Sequence, residues 1–255
     1  MAKKKHPFDV VAEKLETLAA EPAAEQDASP DYWEILFPLS RREATPIKRD
    51  PLVYDSAQGE GLGPDGFPKV PIPEMKLKGR GRLTDVVLTE LPVSWSVGYL
   101  YSEKALAVFK QFELGIFREY PVAVSGGKGV EHPMTYLLIR NFVPWTAIDF
   151  ARSEFYVNDL VSIPQGPVTI TSAQDLAEKK KLAFEGQLNG FEKFSRMDYK
   201  RLVLLQDHLP TADLFRLERG MGIRVYISAR LKEAIGKSGI TGLEIRPNKR
   251  LFAGR

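Results

Sequence analysis

The sequence predicts an α+β fold: a mixed, mostly antiparallel sheet with packed helices, arranged as two related strand–helix–strand halves. Three observations predict it. Short apolar runs rich in Val, Ile, Leu and Tyr recur along the chain, among them YWEILFPL (32–39), WSVGYLY (95–101), TYLLIRNFVPW (135–145) and RLVLLQ (201–206). Helical spacing is confined to a few segments between such runs. A twenty-residue stretch, SEKALAVFKQFELGIFREYP (102–121), returns as SARLKEAIGKSGITGLEIRP (228–247), from serine to proline each time.

Composition sets the frame for these elements. With 255 residues, 44% hydrophobic and 27% charged, the chain can bury a core of ordinary density. No run reaches the roughly 18 apolar residues of a membrane span. The basic start MAKKKHPFDVV is interrupted by Asp9, Glu13, Lys14 and Glu16, so it reads as no secretion signal, and cytoplasm is the expected compartment. The absence of cysteine removes disulfides, thiolate metal sites and cysteine nucleophiles together. Net charge is only +3, but it is unevenly spread. Residues 1–127 hold 16 basic and 19 acidic side chains, leaving 20 and 14 for 128–255. The basic second half suits a phosphate-binding face or an acidic partner, and equally suits ordinary surface scatter.

In chain order, Val10 or Val11, Leu15 and Leu18 stand at helical spacing before Pro22, and a polar linker follows. Residues 1–30 thus read as an N-terminal helix and linker, and 31–255 as a single α+β domain. YWEILFPL is the first core strand, and the Gly- and Pro-dense 56–74 is a loop. LVSIPQGPVTITS (160–172) reads as two short strands around a Pro-Gly turn.

The repeated stretch carries its own folding instructions. Ser102 and Ser228 are N-caps, since a serine oxygen accepts from an unpaired amide of the first turn. At an offset of 126, Ala105, Val108, Phe109 and Phe112 align with Leu231, Ala234, Ile235 and Ser238, one face of an amphipathic helix in each copy. Gly239 suits a helix C-terminus because it takes a positive φ without a Cβ penalty. Pro121 and Pro247 are expected to end strand pairing or to confine it to an edge. Upstream, TDVVLTELPVSWSVGYLYS resembles ADLFRLERGMGIRVYIS, with Asp85 opposite Asp213 and Glu90 opposite Glu218. The pseudo-repeats therefore span about 84–122 and 212–248, with the two units packed around a shared sheet and core.

Signs of chemistry are few. His6, His132 and His208 lack metal-pair spacing and no HExxH occurs, so neither metal nor cofactor is expected. SGGKGVEHP (125–133) has glycines beside a lysine, but Gly129 and Pro133 prevent the helix a phosphate loop runs into, which leaves a connecting loop or hairpin. AIDFARSEF (147–155) gathers Asp149, Arg152 and Glu154, a spacing that suits ion pairing better than a carboxylate acid–base pair. No GxSxG or triad pattern occurs. KLKGRGRL (76–83) and AEKKKLAF (177–184) are basic without a recognition module, and read as a linker and a helix face.

YLLIRNFVPWTAIDFARSEF (136–155) and RLVLLQDHLPTADLFRLERGMGIRVYISARLKEAIGKSGITGLEIRP (201–247) together resemble immunity proteins of bacterial polymorphic toxin systems, specifically immunity family eleven. The matching features are Ile148-Asp149 before Arg152-Ser153-Glu154-Phe155, then Asp213 to Leu217, then Ser228 with Leu231 to Ala234 and Gly239 to Glu244. The resemblance covers roughly residues 90–250. It implies a non-catalytic protein that binds and neutralises a toxin encoded by a neighbouring gene, with no catalytic residue to carry over. Partner contacts belong on irregular segments carried by a scaffold, which singles out Lys128, Glu131 and His132 as candidate partner-binding residues. Two other classes stay open. A small-molecule or phosphoryl-group enzyme needs Asp149, Glu154 or His132 to converge in one pocket. A nucleic-acid binder acting through 76–83 or 177–184 would lose affinity steeply as salt rises, because displaced counterions drive such binding.

Overall fold

The computed structural model describes residues 30–36, 47–48, 67, 75–77, 83–88, 97–125, 130–159, 163–218 and 224–254. The expected N-terminal helix, nearly all of the 56–74 loop and Lys128 lie outside the described residues. The strands are Trp33–Leu36 (β1), Ile47–Lys48 (β2), Met75–Leu77 (β3), Val86–Leu88 (β4), Val97–Tyr101 (β5), Phe117–Ser125 (β6), Glu131–Ile139 (β7), Phe142–Val143 (β8), Glu154–Asn158 (β9), Pro164–Val168 (β10), Arg196–Leu204 (β11), Leu214–Leu217 (β12), Val225–Ile227 (β13), Glu244–Pro247 (β14) and Leu251–Ala253 (β15). The helices are Glu103–Phe109 (α1), Ala173–Glu185 (α2) and Ala229–Ser238 (α3). The fold is α+β. Its strands form sheets ordered β2-β3-β6-β7-β5-β4, β14-β1-β13-β12-β8 and β10-β9-β11-β15. Among the described residues no helix is long and apolar enough to cross a membrane.

Both copies of the repeated stretch build the same local structure. Ser102 accepts from the Ala105 amide and Ser228 from the Leu231 amide, each at 3.2 Å. Each helix turns its apolar face inward, burying Ala105 and Phe109 in α1 and Leu231 and Ile235 in α3. Gly239 ends α3 at φ 62°, the left-handed conformation that favours glycine.

The correspondence extends to sheet register. In the first unit, Tyr101 and Pro121 both face Thr135 of β7, and Tyr99 and Glu119 both face Leu137. In the second, Ile227 and Pro247 both face Trp33 of β1, and Val225 and Ile245 both face Ile35. The two rows match at the offset of 126 that aligns the helices. Each unit is therefore a hairpin, a helix and a returning strand, with one further strand inserted antiparallel between the second and the third. The inserted strands lie outside the repeated stretches: β7 follows the first unit directly, through its hairpin with β6, and β1 lies far upstream of the second. β1 precedes the first unit but completes the second, and β7 precedes the second unit but completes the first.

Two expectations are corrected here. The units share a core but not a sheet: Val86, Tyr101, Phe109, Leu137 and Ile139 of one pack with Ile35, Leu214, Ile227, Leu231 and Ile235 of the other across two separate sheets. Exchanging the inserted strands lets each unit fill its own sheet, and leaves the apolar faces to meet. Pro121 does not end pairing either, since β6 runs on to Ser125. The described pairing of β3 with β6 covers Val124 and Ser125, so among the described residues Pro121 is paired on one side only, with Thr135 of β7, which is the edge setting the sequence allowed for. Pro247, by contrast, closes the edge strand β14.

A third correction concerns residues 160–172, of which 160–162 lie outside the described residues. The expected Pro-Gly turn is not there: Pro164 to Val168 run as a strand through Gly166. Gly166 and its prolines sit at an irregularity in the pairing with β9, on a sheet edge where absent N–H groups are tolerated.

A reciprocal clamp ties the units together. Asp85, just ahead of β4, accepts from the Ser102 hydroxyl at 2.9 Å and from the amide and hydroxyl of Thr241, beyond α3, at 3.0 and 2.8 Å. Asp213, just ahead of β12, accepts from the Ser228 hydroxyl at 2.5 Å and from the amide of Glu113, beyond α1, at 2.9 Å. Each aspartate thus holds its own helix cap and the loop that follows the other unit's helix. Lys104 and Arg230, again 126 apart, stand beside Asp85 and Asp213 respectively. Beyond Thr241, Gly242 sits at φ 92°, where a Cβ would lie 2.0 Å from the Val86 carbonyl oxygen, so only glycine lets this loop close on β4.

Candidate binding surface

The residues that suggested chemistry are taken up by structure. Asp149 accepts from the Arg152 amide at 3.2 Å and faces the Arg152 guanidinium at 4.0 Å, closing the turn into β9. Its carbonyl accepts from Ser153, whose hydroxyl in turn accepts from the Val203 amide of β11. Glu154 stands opposite Arg201 in the β9–β11 ladder. His132 lies on β7, in a different sheet, opposite Val124. Asp149 and Glu154 thus both lie at the entry to β9, while His132 belongs to a different sheet. Among the described residues no three His, Asp or Glu side chains gather as a metal-binding group.

The densest titratable cluster joins two sheets. Asp198 of β11 accepts from the Tyr156 hydroxyl and from Arg250, each at 3.0 Å, with Arg224 3.9 Å away. Arg224 also faces Glu34 of β1 at 3.4 Å, and Asn248 donates to Glu34 at 3.2 Å. Beneath them the hydroxyls of Tyr199 and Tyr226 are paired, with the Arg250 guanidinium 4.7 Å above the Tyr199 ring. Burial raises the phenols of Tyr156, Tyr199 and Tyr226, the last well above the ordinary tyrosine value. They stay protonated at neutral pH and supply no phenolate base. Two guanidiniums against two carboxylates leave the cluster balanced, a stitch between sheets.

Three structural facts bear on the candidate contact residues. Glu131 and His132 are not in a loop: they open β7, facing Ser125 and Val124, because the described β6–β7 ladder runs on to the Ser125–Glu131 pair. Glu131 is exposed, His132 is half-buried, and the neighbouring Val130 shows 52% of its surface. Lys128 falls outside the described residues. Among the described residues at this end of the hairpin, Val130, Glu131 and Pro133 are exposed.

A second exposed surface was missed by sequence reasoning. Phe184, in the last turn of α2, and Phe194, on the loop that follows, are 58% and 41% exposed. Their rings meet edge to face with centroids 5.4 Å apart. The Phe194 amide donates to the Phe184 carbonyl at 3.0 Å, which fixes the pair through the backbone. Gln165 holds the loop from the other side, accepting from the Glu192 amide at 3.2 Å and the Ser195 hydroxyl at 3.0 Å. Phe194 itself takes φ 66°, the only non-glycine in the left-handed region among the described residues. For a bulky side chain that conformation costs about 1–2 kcal/mol. The signal lay in the helix pattern. α2 buries Leu176 and Ala183, and Phe184 falls well off that stripe, between Lys180 and Lys181.

The chain matches no protein-family model, and no curated protein matches it.

Proposed function

We propose that this chain is an immunity protein: it binds and neutralises a cognate bacterial toxin, supplied by a neighbouring gene, through non-catalytic surface complementarity. The observation that carries the reading is where the acidic side chains go. Asp85 and Asp213 close the reciprocal clamp, Asp149 closes a turn, and Asp198 bridges two guanidiniums. With these carboxylates bound to the framework, what the chain offers a partner is its exposed surface. That agrees with the resemblance carried by residues 136–155 and 201–247. The lysine run at 179–181 weighs against a nucleic-acid role, since Lys179 pairs with Asp175 at 2.9 Å and Lys180 lies 4.1 Å over the Trp145 ring. Co-expression tests the reading. The chain should restore growth to cells making the adjacent gene's product, and should co-purify with that product. Failure of both contradicts it.

A further inference from the structure

We infer that Arg216 is a binding site for an oxyanion, a carboxylate or phosphate group that enters the seam between the two units. The inference stands apart from the toxin-binding reading. Arg216 lies on β12, where successive side chains alternate between two cores. Phe215 and Leu217 pack with Phe155 and Tyr199 of β9 and β11, while Leu214 packs into the core shared by the units. Arg216 follows Leu214 to that side. Among the described residues its guanidinium makes no hydrogen bond and no ion pair, and its Nε is sealed from solvent. Burial works against the charge, and the groups that favour it are the phenols of Tyr99 and Tyr226. Burial raises both phenols, so they are neutral and leave the cation without a counter-charge.

Neighbouring arginines are matched. Arg224 faces Glu34 and Asp198, Arg250 faces Asp198, and Arg230 faces Asp213. Nor does the fold call for a charge at this place. Arg216 follows Asp213 by three residues as Leu88 follows Asp85, and Leu88 fills the matching position of β4, opposite Tyr99. A desolvated cation without a partner is costly to folding, and an incoming anion removes that cost. The donor selects the occupant's chemistry: a guanidinium is a rigid planar fork that fits the paired oxygens of a carboxylate or phosphate. Arg216 is only half-buried, so its outer edge can be reached, while the enclosed Nε end keeps the plane in place.

The test uses the full-length chain and inorganic phosphate. At matched ionic strength, replacing chloride by millimolar phosphate should raise the melting temperature by about 2–4 °C. Arg216→Met should melt at or above wild type in chloride and lose the phosphate response. Arg216→Lys, which keeps the charge without the fork, should keep only a fraction of it. A second reading uses the wild-type chain: the Arg216 Nε–H proton resonance, assigned by its loss in Arg216→Lys, should shift and saturate as phosphate is added. An equal melting response in Arg216→Met, or a wild-type chain whose melting point and Nε–H resonance ignore phosphate, would overturn the assignment. The adjacent gene's product then distinguishes the sources of the anion. If a carboxylate of that product fills the site, phosphate competes and Arg216→Met weakens the complex at least tenfold. A complex indifferent to both, with the phosphate response intact, identifies a free small anion.

Discussion

A chain cut between Ser125 and Val130 is expected to survive as a two-fragment complex, while either fragment expressed alone stays unfolded. The reason is the exchange of inserted strands. The N-terminal fragment keeps β4, β5, α1 and β6 but loses β7, the strand between β5 and β6. The C-terminal fragment keeps β12, β13, α3 and β14 but loses β1, the strand between β13 and β14. β7 alone contributes Tyr136, Leu137, Leu138 and Ile139, each 1% exposed or less. At about 2–3 kcal/mol for each buried side chain, their burial is worth roughly 10 kcal/mol as an upper figure. That is comparable with the whole stability of an ordinary domain, about 5–15 kcal/mol. The Asp85–Thr241 and Asp213–Glu113 hydrogen bonds cross the same division. Co-expressed fragments should therefore co-purify at equal stoichiometry and melt in one transition, and each alone should show the circular dichroism of an unfolded chain. A fragment that folds alone would show that a unit needs no strand from elsewhere.

Asp213→Ala is expected to cost about 3 kcal/mol, and to lower the melting temperature by roughly 6–12 °C. Asp213 is 1% exposed and holds the Ser228 hydroxyl, the Glu113 amide and the Arg230 guanidinium. Removing it leaves the half-buried Ser228 hydroxyl and the Glu113 amide without their acceptor, and frees the loop after α1. The same contacts make stability depend on acid. Burial works to raise the Asp213 carboxyl, but the hydrogen bonds from Arg230, Ser228 and Glu113 outweigh it and hold the group below its ordinary value. Asp85 behaves alike: burial opposes ionisation, while the bonds from Thr241 and Ser102 and the Lys104 charge prevail. A lowered folded-state value means that the stabilisation is complete above the unfolded-state value near 4 and is lost as pH falls through the folded one. Wild type should therefore lose stability steadily from about pH 5 downward. Asp213→Asn should start less stable at neutral pH and lose less over that range. Parallel acid limbs in chemical denaturation would contradict this role for Asp213.

The repeat was legible because its determinants are local. Ser102, Ser228, Gly239 and the helix faces announce themselves in single stretches, and the offset of 126 that aligns the helices also aligns the sheet rows at Pro121 and Pro247. The exchange of β1 and β7 was not legible, since a four-residue strand such as WEIL carries no mark of which sheet it will join. Asp85 and Asp213 could be aligned with each other, but their contacts to Thr241 and Glu113 span 156 and 100 residues and leave no pattern in sequence. For Glu131 and His132 the sequence left a connecting loop or a hairpin open, because glycines precede them. A long antiparallel ladder overrode that local signal. Phe184 was absorbed into a basic helix face, and its pairing with Phe194 depends on a backbone conformation that phenylalanine rarely adopts.

The most direct measurement titrates the purified chain against the purified product of the adjacent gene, the proposed toxin, and follows that product's own activity. A protein that acts by surface complementarity removes that activity linearly, reaching zero at one equivalent, and the two components then elute together. Inactivation that runs to completion at a small fraction of an equivalent, with the chain released unchanged, would mean turnover. It would place the chain's function in a reacting group and not in the surface it displays.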